Sequence, residues 1–247
     1  MPKVFLSPST QEYNPYADGG TEEYYMNLVA DAMEPYLTAS GVEYARNDPS
    51  GTVNDSVALS NASPGELHLA LHSNAAPPSL SGKLTGADIY YFTGSEAGRR
   101  AAELFAENYR RLYPYPEKVR VRPTRDLIEL RRTKASAILI ECAYHDNPEE
   151  ARWIRENIGE MGENFARSAV EYVGASFRQP QDVRYGIVAT ESGSLRLRTS
   201  PSLDAAVLAV IPKGTRLPLL GEDGAFYLTR FAGKEGYAAK EYIRPES

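Results

Sequence analysis

Cysteine is almost absent from this chain: Cys142 is the single one in 247 residues. No intrachain disulfide framework is therefore possible. Positive charge is also short, with 27 Lys and Arg against 33 Asp and Glu and a net charge of −6. That balance argues against a nucleic-acid footprint, which would want a basic face. No apolar run reaches the ~18 residues of a membrane span. The opening stretch, MPKVFLSPST, lacks the apolar core of a signal peptide. This leaves action at the place of synthesis, another export route, or a leader missing from the chain. Histidine is scarce, with three in all, and so each is informative. Apolar content of 42% and charge of 24% suit a globular chain with a sizeable core. The length allows one large domain or a medium one plus a small one. Tyrosine is frequent, 17 against 7 Phe, and its apolar face with a polar tip suits sugar or peptide surfaces.

The periodicities divide the chain in two. Tyr25, Leu28, Val29, Ala32, Met33, Tyr36 and Leu37 recur at helical spacing, with Gly41 as the stop. ELHLALHSN (Glu66 to Asn74) and GADIYYF (Gly86 to Phe92) read as buried strands, and SEAGRRAAELFAENYRRLY as a helix. ASAILIECAYHDN reads as a central strand. The segment after it is a helix pair or one broken helix, with Asn147 as cap and Pro148 at the first helical position. Strands alternating with helices predict an α/β domain over 1–177, with a mainly parallel sheet flanked by helices. RQPQDVR, residues 178–184, reads as a linker. From 185 to 247, short strand-like runs at intervals of ~8–12 residues predict a small all-β barrel.

The histidines sit where open α/β sheets place their ligands, at strand ends. His72 precedes Ser73-Asn74, and His145 precedes Asp146-Asn147. Glu141 ends an apolar strand, where desolvation should raise its pKa into the range useful for acid–base work. His68 and His72 share a strand face but lie about 13 Å apart at ~3.3 Å per residue. They cannot share one ion, and His68 is read as structural. Glu22 falls on the inward helical stripe, whereas Glu23, its main rival as a metal ligand, points about 100° away. Glutamate and histidine on a zinc-like ion, with a second Glu as acid–base, point to metal-assisted hydrolysis.

These residues carry a family likeness. LALHSNA, ILIECAYHDNPEEA and TEEYYMNLVADAM resemble the zinc-dependent N-acetylmuramoyl-L-alanine amidases of the amidase-3 type, over roughly Pro2 to Phe177. DLIELRRTKASAILIE resembles the family's segment before its catalytic Glu, and Ala30 falls where the family has an alanine after its Glu. The likeness implies Zn2+ on Glu22 and His72, with Glu141 as general base and acid. It implies cleavage of the amide between N-acetylmuramic acid and L-alanine of the stem peptide, with peptidoglycan or muropeptide as partner. Action in the cell wall or outside the cell follows from that substrate. One element departs: where the family has a His-bearing DPGHGG, this chain has SPSTQE. His145 is then the expected third metal ligand. Gln11, Asn74 and Arg131 are the expected substrate contacts, and Gln11 meeting the ion instead remains open. The last sixty or so residues resemble a bacterial SH3 (SH3b) domain through SLRLRTSPS, VIPKGTRLPLL and EGYAAKEYI. There, Arg196 and Arg198 alternate with Leu195 and Leu197 and are expected to face water. Two other readings stand beside the amidase: a catalytically dead cell-wall binder that keeps the fold, and a zinc hydrolase cutting within stem peptides.

Overall fold

The computed structural model describes residues 3–180 and 184–246. The chain forms two compact units, Met1–Gln179 and Pro180–Ser247. Residues 181–183, part of the expected linker, lie outside the described residues.

The first unit runs β1 (Val4–Pro8), α1 (Glu22–Ala39), β2 (Tyr44–Arg46), α2 (Val53–Ala62), β3 (Leu67–Asn74) and β4 (Ala87–Phe92). It continues with α3 (Glu96–Tyr109), β5 (Val119–Thr124), α4 (Ile128–Arg132), β6 (Ser136–Tyr144), α5 (Pro148–Glu156) and α6 (Ile158–Tyr172). The six strands pair in the order β2-β1-β3-β6-β4-β5. All pairs are parallel except β4 with β6. As expected from the alternation of strands and helices, this is an α/β domain with a mostly parallel sheet.

Strand alternation sorts the side chains onto two faces. Leu69, Leu71, Ile138, Ile140 and Ile89 face one way and join Val29, Met33, Phe105 and Phe165 in the main core. The opposite face carries His68, Ala70, His72, Leu139 and Glu141. Here Leu130 of α4 covers a smaller core of Ala70, Ala137 and Leu139. The polar residues of the site therefore stand on the thinly covered side of the sheet.

Helix α1 begins at the expected glutamates. Thr21 caps it by accepting from the Tyr24 backbone N–H (3.2 Å), and the left-handed Gly41 follows its end. Asn147 caps α5, accepting from Glu149 N–H (3.0 Å), with Pro148 in the first turn. Helices α1 and α6 cross closely at Gly162, where a Cβ would stand 2.4 Å from that of Ala32. Gly162→Ala should cost about 1–3 kcal/mol of stability through overpacking. Denaturant unfolding checks this, and an unchanged midpoint would show that the two helices can spread.

The second unit is all antiparallel. Strands β7 (Arg184–Val188), β10 (Arg216–Leu219) and β14 (Ile243–Pro245) make one sheet. Strands β8 (Leu195–Arg198), β9 (Val207–Ile211), β11 (Gly221–Asp223), β12 (Phe226–Phe231) and β13 (Lys234–Ala239) make the other. One expectation fails within it. Arg196 is exposed, but Arg198 is buried, and its guanidinium donates to the Ala205 carbonyl (2.8 Å). A register shift between Leu197 and Arg198 breaks the alternation and turns the arginine inward.

Candidate active site

At the carboxyl ends of β3 and β6, His72 and Glu141 are direct cross-strand neighbours. The loop after β1 folds against them. Asn14 O accepts from Glu22 N–H (2.9 Å) and His145 O from Ala17 N–H (3.0 Å), which sets the first residue of α1 at the strand ends. Glu22 is buried there, its Oε1 2.7 Å from His72 Nδ1. Asn14 donates to its other oxygen (2.8 Å) and to Gln11 Oε1 (2.9 Å). The Gln11 carboxamide nitrogen lies 3.4 Å from the same His72 Nδ1. Glu23 turns away toward Asn27 on its own helix.

A residue the sequence did not single out holds the other edge of His72. Glu129, buried on α4, places Oε1 3.4 Å from His72 Nε2 and Oε2 2.7 Å from His68 Nε2. Ser7 also donates to Oε2 (2.6 Å). The two histidines, too far apart along the strand for one ion, thus share one carboxylate. Burial alone would raise the Glu129 pKa, but both histidines outweigh it and hold the carboxyl far below its usual range. Burial likewise opposes ionisation of Glu22, yet its His72 contact keeps it below the ordinary value. For His72, burial lowers the pKa, while hydrogen bonds to Glu129 and Glu22 drive it well above the usual range. Without metal, the imidazole is a cation between two carboxylates.

Glu141 behaves oppositely. Its Oε2 is buried without a hydrogen-bond partner. Burial, reinforced by Glu22 and Asp88 against the pull of His72, raises its pKa to about 7. A carboxyl poised there can take a proton and return it near neutral pH. Arg131, an expected substrate contact, is exposed on α4 and forms no ion pair among the described residues. Asn74 ends β3 partly buried, and its carbonyl accepts from His145 N–H (2.8 Å).

His145 does not join the Glu22–His72 pair. Its ring stacks on Tyr16 (5.1 Å between centroids), and its Nδ1 lies 2.9 Å from the Ser73 carbonyl. Ser73 Oγ, 3.0 Å from the same nitrogen, accepts from the Tyr16 hydroxyl (2.7 Å). That buried network engages Nδ1 of the imidazole. Among the described residues no group of three His, Cys, Asp or Glu side chains is arranged to hold a metal ion. The donor types present are still those a divalent ion takes. One imidazole nitrogen and one carboxylate oxygen meet, a carboxamide borders them, and a partnerless carboxylate oxygen stands on the next strand.

Residues 9–171 match the family model described as N-acetylmuramoyl-L-alanine amidase. The chain belongs to that family. Residues 193–244 of this amidase match the bacterial SH3 domain. No curated protein matches the chain, but solved structures do. Amidase AmiC2 of Nostoc punctiforme is 18% identical, with a TM-score of 0.59, covering 69% of this chain and 96% of its own. The catalytic domain of CwlV from Bacillus (Paenibacillus) polymyxa is 15% identical, with a TM-score of 0.60, covering 71% and 100%. The catalytic domain of the CD27L endolysin, which targets Clostridia difficile, is 15% identical with a TM-score of 0.54, covering 69% and 98%. At these identities the structures establish the shared fold. Family membership supports peptidoglycan amidase activity.

The sequence held signals for the residues it did not yield. Glu129 sits in LIEL, an acid inside an apolar run, and RVRP alternates basic with apolar residues on what proves to be β5. Neither signal names the strand end to which its residues are delivered.

Proposed function

We propose that this amidase hydrolyses the bond between the lactyl group of N-acetylmuramic acid and L-alanine by zinc-assisted attack of water. The reading rests on one observation above others. A buried carboxylate oxygen without a partner, on a group titrating near 7, adjoins a histidine–glutamate pair. His72 and Glu22 would hold the ion, with Gln11 presenting its carboxamide oxygen after a half-turn of the amide. What zinc supplies when bound is Lewis acidity, polarising the scissile carbonyl and lowering the pKa of water. Glu141 takes the proton from the attacking water and delivers it to the departing L-alanine nitrogen. His72 must lose its Nδ1 proton to become a ligand, so metal uptake releases protons and strengthens as pH rises. Asn74 and Gln11 line the approach to this point. The bacterial SH3 region would hold the enzyme on cell-wall polymer, and action in the cell wall or outside the cell follows. Among the described residues no helix is long and apolar enough to cross a membrane.

Metal analysis with a peptidoglycan digest read by mass spectrometry tests the proposal. Chelated protein should release nothing, and zinc should restore peptides with a new amino-terminal L-alanine. Fragments cut between stem-peptide residues would make the protein a peptidase, and no release with zinc bound would make it a binder. A second result is expected at the altered position: Gln11→His should tighten zinc binding about tenfold or more, the scale on which ligand-shell changes act. Titration calorimetry reads it, and an unchanged affinity would remove residue 11 from the ion's surroundings.

A further inference from the structure

The row of side chains that carries His72 and Glu141 continues across the sheet. Glu141 pairs with Asp88 of β4, and Asp88 pairs with Arg120 of β5. Arg122 stands two residues along from Arg120 on the same face. Asp88 is buried and binds both guanidinium groups. Arg120 donates from Nε to Oδ1 (2.8 Å) and from a terminal nitrogen to Oδ2 (3.2 Å), and Arg122 donates from Nε to Oδ1 (2.8 Å). One carboxylate thus anchors two cations, and one positive charge is left over.

That surplus is unusual for a merely structural pair. A buried aspartate is neutralised by one arginine, and the second adds repulsion between like charges. Both side chains are about half exposed, at 44% and 45%. Arg122 engages Asp88 only through Nε, and its two terminal nitrogens meet no hydrogen-bond partner among the described residues. This leaves free the edge of the guanidinium that grips a carboxylate with two parallel hydrogen bonds. The charge stands beside a site otherwise rich in acids (Glu22, Glu129 and Glu141) and on a chain of net charge −6.

The spacing suits a peptide. Two strand intervals of ~4.8 Å separate Glu141 from Arg120, or about 10 Å. An extended chain covers that in about three residues at ~3.3–3.6 Å each. We infer that Arg120 and Arg122, clamped by Asp88, form a subsite for a free carboxylate on the peptide arm of the substrate, two or three residues beyond the scissile amide. The inference rests on the hydrolytic reading for its placement of the scissile bond at Glu141.

Two substrates test it: a muramoyl tripeptide with free carboxylates, and the same tripeptide with them converted to carboxamides. The native enzyme should favour the free form in kcat/KM by about tenfold or more, the weight of a charge-assisted hydrogen bond. Arg122→Gln, a change at a half-exposed side chain, should bring that ratio close to parity, and Arg120→Gln should reduce it. A native enzyme that treats the two substrates alike overturns the subsite. So does an Arg122→Gln variant that keeps the full preference or slows both substrates equally. If the native protein cleaves neither, the hydrolytic reading fails, and binding of the same two peptides measured by calorimetry decides the subsite. A carboxylate preference lost in Arg122→Gln then sustains it, and equal binding ends it.

Discussion

Glu141→Gln should lower kcat by about 10²–10⁴-fold, the range expected when a positioned acid–base group is lost. Zinc content and the circular dichroism spectrum should stay as in the native protein. The same substitution has a thermodynamic signature in chelated protein. The carboxyl titrates at about 7 in the fold against an ordinary value of 4.5. The native state therefore binds this proton more tightly than the unfolded chain does. Its contribution to stability is complete below pH about 4.5 and is lost as pH rises through about 7. Glutamine cannot ionise, so the variant should be more stable than the native protein at pH 8, by about 1–3 kcal/mol. Near pH 4 the two should match. Thermal unfolding at both values measures the difference. Near-native turnover would remove Glu141 from the chemistry. Equal stability at pH 8 would show that the carboxylate already has a partner.

Glu129→Ala should produce the largest loss of stability of any single change at the site. It removes the carboxylate shared by His68, His72 and Ser7 and leaves a protonated imidazole without one of its two counter-charges. Breaking a buried pair in this way costs about 3–5 kcal/mol. Because the Glu129 pKa is depressed in the fold, its contribution is present above the unfolded carboxyl value. It fades as pH falls through the folded value. The raised His72 pKa acts in the other sense, its contribution being lost as pH climbs through the folded imidazole value. The penalty of the variant should therefore be large at neutral pH and shrink in strong acid.

A purely structural role would end with stability, but a positioning role predicts more. With Glu129 accepting from Nε2, the neutral His72 keeps Nδ1 free on the Glu22 side. Zinc affinity of the variant should then fall about 10–100-fold, as when an outer-shell partner of a ligating histidine is removed. The imidazole nitrogen shifts of His72 should also change. Unaltered affinity in a folded variant would confine Glu129 to a structural role.

Much of this architecture was legible in the chain. Helix α1 could be read from Tyr25 to Leu37 because its stripe repeats over three turns against a single core. Strand β6 was visible as an unbroken apolar run, and the Asn147–Pro148 start of α5 follows from local hydrogen bonding alone. Shorter elements escaped: β2 has three residues and α4 five, too few to display a period. Arg198 misled because alternation assumes an unbroken ladder, and a bulge is set by the partner strand.

By itself the sequence determined the alternation of strands and helices, the all-β second unit, and the candidacy of Glu22, His72 and Glu141. Each of these depends on interactions among residues close in the chain, or on the desolvation of an acid within an apolar run. Tertiary structure alone decided which charged groups meet. Glu129 reaches His72 across 57 positions, Asp88 gathers two arginines from the neighbouring strand, and His145 meets Ser73 and stacks on Tyr16. Such meetings are set by strand order and register. Both arise from packing the whole core, and no local pattern of residues encodes them.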